Sequence, residues 1–423
     1  MSNPVFADIP TMASYLISGY WGWAGYQGTA PRQWQSHTLT VNITGLNATE
    51  QGYATSALNA WHDVANVNFV YTSGAANITF NHNLQFDPGT QQFTSVAYTA
   101  QTVSNGHLTS ATIDISSDWA SGAHMDNYMF QSYINEIGHA LGLGHQGPYN
   151  DSATYGVDNI YTNDTWQWSI MSYFNQSNYG GGTYTYLTTP QMVDVYAIQE
   201  LYGANTSTRL GNTIYGFHSN AGPIYDFTKY YYTPSFLIYD TGGTNTLDCS
   251  EYAGNQTINL NPGTWSSVDG GVNNVGIYLS TTVQKAIGGS GNDVIFGNAA
   301  HDRIDGGAGS NVLYAGTGPD RFVFDTSLMT TFDTIVNFAP GFDKLVLSRA
   351  DFAGLNPLGH VLKASMFHVG PGFTNAHQRF DYNPANGWLT YDSHGNHAGS
   401  TAIHVMTLAT NLGMHHGDLV LIA

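Results

Sequence analysis

The chain has a single cysteine, Cys249, so no internal disulfide can form. Lys and Arg together number 10 against 29 Asp and Glu, a formal net charge of −19, although only 9% of residues are charged. Such a surface repels nucleic acid and anionic membranes and favours cations. No stretch reaches the ~18–20 apolar residues of a membrane span. The first residues have neither the basic n-region nor the apolar run of a signal peptide. What is abundant is Gly, 48 residues, and Tyr, 28 residues. Solubility must rest on Asn, Ser, Thr, Gln and Gly, and stabilisation on something other than disulfides, with bound metal ions the leading source. Cys249 reads as an inert buried thiol. A length of 423 residues suggests two domains.

One stretch organises the rest: Asn135-Glu136-Ile137-Gly138-His139-Ala140-Leu141-Gly142-Leu143-Gly144-His145. On a helix, positions 135 and 139 project from one face, where two ligands can grip one metal. Glu136 lies beside them, placed to take a proton from metal-bound water. Gly142 falls where the helix should stop, because glycine alone takes the left-handed cap conformation without strain. The turn then lets His145 reach the metal from outside the helix. An amphipathic helix with two incidental histidines is the plain alternative; a Glu, two His and two Gly at these offsets argue against it. With Asn135 at the first ligand position, the stretch resembles the metzincin zinc helix, His-Glu-x-x-His-x-x-Gly-x-x-His.

Downstream, Trp168-Ser169-Ile170-Met171-Ser172-Tyr173 resembles the metzincin Met-turn, with Met171 beneath the metal. Gly147-Pro148-Tyr149-Asn150 and Pro190-Gln191-Met192, running on to Ala197-Ile198-Gln199-Glu200-Leu201-Tyr202-Gly203-Ala204-Asn205, are similar to the serralysin family of secreted bacterial metalloproteases. The resemblance implies zinc held by Asn135, His139 and His145 with Tyr173, and catalysis by Glu136 and Tyr173. Tyr173 would ligate zinc or hydrogen-bond a developing oxyanion. It further implies protein or peptide substrates and export by type I secretion machinery with no N-terminal signal. No nucleic acid is expected as a partner, and a monomer is expected. The apolar end Leu419-Val420-Leu421-Ile422-Ala423 after Asp418 is as in that family, and reads equally well as a final core strand. His124 lies eleven residues before Asn135, roughly 16 Å if helical, too far to replace the missing ligand; that distance does not exclude His107, which is not the expected replacement.

The fold class expected is an α+β metzincin catalytic domain over residues 1–205, then an all-β parallel β-roll and β-sandwich domain over 206–423. A strand is expected at His37–Ile43 and a helix over Thr49–Val67 started by Thr49. Further strands are expected around Asn68–Tyr71, Asn77–Phe80, Thr94–Ala100 and Thr112–Ile115, with the zinc helix as the second of two long helices. Ser95-Val96-Ala97-Tyr98 occupies the place of the family's substrate-pairing edge strand, which backbone pairing alone would serve.

After Asn205 helical periodicity vanishes. Gly288-Gly289-Ser290-Gly291-Asn292-Asp293-Val294-Ile295-Phe296 fits the calcium-binding repeat Gly-Gly-x-Gly-x-Asp-x-U-x. The frame continues at period nine: Gly297 with Asp302 and Ile304, then Gly306, Gly307 and Gly309 with Asn311 and Leu313, then Gly316 and Gly318 with Asp320 and Phe322. Glycines permit the turns, aspartates and carbonyls surround a hard cation, and the apolar position packs inside a parallel β-roll. Asn311 for aspartate removes a charge, so fewer or weaker calcium sites than in a full roll are expected. Phe332-Asp333-Thr334-Ile335 and Gly341-Phe342-Asp343-Lys344-Leu345 resemble the family's segments after the roll, with Asp343 a calcium residue. Arg209, Gly211 and Thr213, and Asp240 with Gly242, resemble further calcium loops. There Asn245 stands for the family's aspartate and Gln284 for its glutamate.

Asn135 leaves three accounts open: a weakened protease that still holds zinc, an inactive pseudoprotease acting as a secreted calcium-binding binding protein, or an introduced change in an otherwise intact site.

Overall fold

The computed structural model describes residues 4–422 except 27–30, 84, 88–91, 95, 117–118, 120–123, 326–330, 353 and 356–360. The expected edge-strand residue Ser95 lies outside the described residues. The chain divides into two compact units. Met1–Leu210, Gly222–Thr241 and Gly271–Leu279 form one; Gly211–Ala221, Gly242–Gly270 and Ser280–Ala423 form the other.

The first unit is built on five strands, β1 (Thr38–Asn42), β2 (Asn68–Tyr71), β3 (Ile78–Asn81), β4 (Ala97–Ser104) and β5 (His107–Ile115). Their order is β2-β1-β3-β5-β4. All pairings are parallel except β4 on β5, so β4 closes the sheet as an antiparallel edge. Alternation decides which side chains go inward: Leu39 and Val41 of β1 and Ile78 and Phe80 of β3 are buried, with polar neighbours between them. Helix α1 (Ala48–Val64) starts at Asn47, not at Thr49. The Asn47 side chain accepts from Glu50 N (3.1 Å) while the Glu50 carboxylate accepts from Asn47 N (2.8 Å). That reciprocal cap satisfies two orphan donors and puts Thr49 inside the first turn. Helix α2 (Tyr128–Ala140) is capped by Asn127, which accepts from Phe130 N (2.9 Å). Trp61 of α1, fully buried, donates Nε1–H to Ile134 O of α2 (2.9 Å) and ties the two helices together. A helical run also covers Ile9–Trp23, and a third helix, α3, spans Met192–Tyr202.

The second unit contains, among the described residues, no helix beyond short 3-10 turns. Successive nine-residue frames lay strands alternately into two parallel sheets. Lys285–Ile287, Arg303–Asp305, Arg321–Phe324 and Lys344–Ser348 pair in one sheet. Thr257–Asn259, Val294–Phe296, Val312–Tyr314 and Asp333–Val336 pair in the other. The apolar position of each frame, Ile295, Ile304, Leu313 and Phe322, is fully buried between the sheets. Turns in register lie so close that a Cβ on Gly316 would sit 1.6 Å from Asn298 O, a backbone atom that cannot yield cheaply. Gly316→Ala is therefore expected to destabilise this unit at or beyond the upper end of the ~1–3 kcal/mol typical of overpacking. Chemical denaturation checks it; a midpoint equal to the parent's would show that the turn has room.

Candidate active site

Helix α2 ends at Ala140, and Gly142 follows with φ +108°. A side chain there would be strained, and its Cβ would fall 1.8 Å from Arg32 O. The reversal brings His145 back against His139. His139 Nδ1 meets Leu143 O at 2.8 Å and His145 Nδ1 meets Tyr149 O at 2.9 Å. A carbonyl oxygen only accepts, so each Nδ1 carries its proton and each neutral ring leaves Nε2 as a bare lone pair. Burial favours those neutral rings, pushing His139 down to about 4 and His145 well below the usual histidine range. The two Nε2 atoms face each other at 3.0 Å. Two opposed lone pairs repel unless a cation lies between or beside them, so this pair fits a metal by its donor chemistry.

Glu136 is buried beside them. Thr99 Oγ1 of β4 lies 2.8 Å from its Oε2 and 2.9 Å from its backbone oxygen, anchoring the edge strand to the helix. Burial pushes the Glu136 carboxyl up to about 7. Gln101, two residues along β4, donates to His139 O. Gly138 faces the other way, where a Cβ would lie 2.7 Å from Met171 Sδ and 3.0 Å from the Trp61 ring. Glycine there lets the fully buried Met171 lie directly under α2. Asp194, buried at the start of α3, fixes this turn. It accepts from Ser169 Oγ (2.6 Å), Ile170 N (2.7 Å) and Gln191 N (2.8 Å).

Asn135 occupies the face expected of a first ligand, but its amide is engaged with the Met-turn. Nδ2 donates to Ile170 O (3.0 Å) and approaches Met171 Sδ (3.8 Å). Among the described residues no group of three or more His, Cys, Asp or Glu side chains is gathered to hold a metal. The Tyr173 ring packs 4.5 Å from that of His145, and burial raises its phenol far above the usual range. Asn135, Glu136, His139, His145 and Tyr173 all line one cleft of about 1340 Å³. Its walls carry Tyr20, Trp21, Trp23 and Tyr26 on one stretch and Tyr128 and Trp166 on another, with β4 residues 97–101 along the rim.

In the second unit the repeat carboxylates form two ladders. In one, Asp293 Oδ1 accepts from Gln256 N (2.6 Å), Asn311 Oδ1 from Asp293 N (2.8 Å) and an Asp333 oxygen from Asn311 N (2.8 Å). In the other, Asp320 accepts from Asp302 N (3.0 Å) and Asp343 from Asp320 N (2.9 Å). The second oxygens turn back to Gly289, Asn298, Gly316 and Ala339 N. Gly307 and Gly309 have φ +74° and +97° and abut Gly289 O and Gly291 O, while Gly288, Gly297, Gly306 and Gly318 are likewise too crowded for a Cβ. Asn245 breaks the acidic pattern: its Nδ2 donates to Gly242 O (3.0 Å) and Thr282 O (3.1 Å), supplying a positive dipole where a cation would otherwise meet those carbonyls. Thr213 Oγ1 donates to Gly211 O (3.3 Å) nearby. In the first unit Arg209 pairs with Asp63, and Asp240 is buried.

Spacing could not disclose Thr99, Gln101, Arg32 or Asp194, which reach the site through tertiary packing. His124 lies before α2, its ring against Lys229 O and Tyr231, and His107 opens β5.

Residues 33–158 match the matrixin peptidase model and residues 204–413 the Peptidase M10 serralysin C-terminal model. Serralysin B of Dickeya chrysanthemi is 39% identical over 268 residues, 61% of this chain and 55% of that protein. The metalloprotease AprA of Pseudomonas entomophila is 37% identical over 285 residues, 64% and 57% of the two chains. A serralysin of Photorhabdus luminescens is 35% identical over 272 residues, 60% and 54%. The chain thus spans little more than half the length of the curated relatives it matches.

Proposed function

Because the chain belongs to the serralysin family, whose members use zinc and calcium, we propose that it is a secreted zinc endopeptidase of weakened activity. The observation that carries this reading is the buried pair of Nε2 lone pairs, 3.0 Å apart, beside Glu136 at the floor of a cleft rimmed by an edge strand. His139 and His145 would hold the metal, with Tyr173 and Asn135 as the remaining donors. Zinc, when bound, supplies Lewis acidity and lowers the pKa of a water it holds to about 7.

The chain's own residues do the rest. Among the described residues β4 is the edge of its sheet, so it offers backbone groups to an extended peptide. Glu136, held by Thr99 and raised to about 7 by burial, is poised to take a proton near neutral pH and hand it to the leaving amine. Burial favours the protonated phenol of Tyr173, which can donate to the oxyanion that forms. The acidic ladders of the second unit would take calcium at Asp293, Asp302, Asp320 and Asp343, with glycines 288–318 forming the turns. Gly211, Thr213 and Gly242 are proposed as calcium residues of the second unit, weakened by Asn245, and Arg209 and Asp240 as calcium residues of the first. Type I secretion machinery and a monomeric state complete the proposal.

A second reading, a non-catalytic calcium-binding protein whose cleft binds peptides, draws on Asn135, whose Nδ2 donates to Ile170 O and whose only possible metal donor is a neutral amide oxygen. Unfolded casein with added zinc and excess calcium separates the two. Slow cleavage, stopped by a zinc chelator and by Glu136→Gln, is the expected outcome. If the chain cleaves no faster than its Glu136→Gln variant, the protease reading fails.

A further inference from the structure

Peptide hydrolysis leaves one cation in the cleft unexplained. Arg32 is 5% exposed, yet it lines the cleft. Its guanidinium lies 4.0 Å from the Trp21 ring centroid and 4.2 Å from that of Tyr26. Nη1 donates to Gln101 Oε1 (2.7 Å), and Nε is buried without a partner. Among the described residues no carboxylate pairs with it, in a chain where 29 acidic residues face 10 Lys and Arg. A sequestered charge lacking a counter-ion is costly. The aromatic rings offset part of that cost. Their centroids are 6.2 Å apart and their planes 72° from parallel, so they flank the guanidinium without sandwiching it, and its planar fork is the part that grips carboxylates in a two-pronged bond.

We propose that Arg32 is the base of a carboxylate subsite, so that the cleft selects peptides presenting an acidic group at one fixed distance from the scissile bond. The proposal rests on the peptide-binding reading of the cleft. The register follows from β4. Gln101, which holds Arg32, stands two residues from Thr99, which touches Glu136, and both share the inward side of the alternating strand. Two residues of strand span ~7 Å. A peptide added to β4 sends every second side chain to that side. The acidic group therefore belongs two positions from the residue lying over Glu136. It comes from an Asp or Glu side chain, or from the free carboxyl end of a peptide that stops there. Either source uses the guanidinium in the same way.

The test is binding, so that it does not depend on turnover. Fluorescent peptides of one neutral scaffold, with Asp or Asn scanned along it and the C-terminus free or amidated, are titrated into the full chain carrying Glu136→Gln. At one position Asp is expected to bind at least about tenfold more tightly than Asn, as for a hydrogen-bonded charge. The ratio should collapse towards one in Arg32→Gln and fall several-fold in Arg32→Lys, which keeps the charge but not the fork. A preference that follows the free C-terminus assigns the subsite to chain ends instead of side chains. If neutral peptides bind and no position prefers Asp, Arg32 is purely structural and the proposal is overturned. The same follows if the preference survives in an Arg32→Gln chain that melts like its parent. Should Arg32→Gln fail to fold, Arg32→Lys decides, and an undiminished ratio overturns the proposal. Binding with the Asp preference but no casein cleavage by the unmodified chain defeats the protease reading and leaves the subsite standing. Cleavage without any preference does the reverse, and failure of every peptide to bind overturns both.

Discussion

Asn135→His is expected to raise zinc affinity and casein cleavage together, each by at least about 10–100-fold. Loss of a partner that merely orients a ligand already costs ~10–100-fold in affinity or activity, and Asn135 stands at the proposed ligand position itself. An amide oxygen is a neutral, harder donor than imidazole nitrogen and a poorer match for zinc. Here Nδ2 donates to Ile170 O, so Oδ1 is the one atom of this side chain that could meet a metal. A histidine at 135 adds the third imidazole that His139 and His145 lack, four residues before His139 on the same helix face. Competition titration against a zinc dye and initial rates on casein would measure the two gains. Tight zinc binding and full rates in the unmodified chain would show that Asn135 is an adequate ligand. Gain in affinity without gain in rate would place the defect elsewhere, with Tyr173 the first residue to test.

Much of this site is local in sequence, and that part was legible. A helix period fixes the relation of positions 135, 136 and 139, and only glycine suits 142 at φ +108°. The nine-residue repeat likewise announces its inward positions, because period and turn chemistry repeat together. Other features were hidden for physical reasons. Thr99 and Gln101 meet α2 through the sheet edge, 37 and 38 residues away from their partners. Asp194 supports the Met-turn from 24 and 25 residues downstream, and no periodicity marks it. The start of α1 is ambiguous from the sequence because Thr49 and Asn47 are both good caps. Asn47 wins since only it has glutamate three residues on to close the box. The two-sheet alternation was hidden too: strands pair at a separation of 18 residues, Ile295 with Leu313 and Ile304 with Phe322, so each repeat skips its sequence neighbour.

Calcium removal is expected to unfold residues 288–323 while the first unit stays folded, and the effect should grow with pH. The ladders stack carboxylates inside a narrow roll, where burial pushes Asp302 and Asp333 up to about 7. A raised carboxyl pKa means that the fold prefers the protonated acid. Without a cation, then, stability is greatest below about 4, near the unfolded value, and is lost as pH rises towards 7. A divalent ion supplies the missing countercharge, so its stabilising effect is largest at and above neutrality. Amide positions escape this dependence. Asn311 spans its ladder through Oδ1 with no charge to neutralise, and Asn245 closes its own turn with Nδ2. Asn311→Asp should therefore make the roll more dependent on calcium at pH 8, with little change at pH 5. Limited proteolysis and circular dichroism with and without a calcium chelator at both pH values would measure this. Equal protease resistance in all four conditions would mean that the ladders hold themselves together through backbone donors alone, and that the aspartates are not there for an ion.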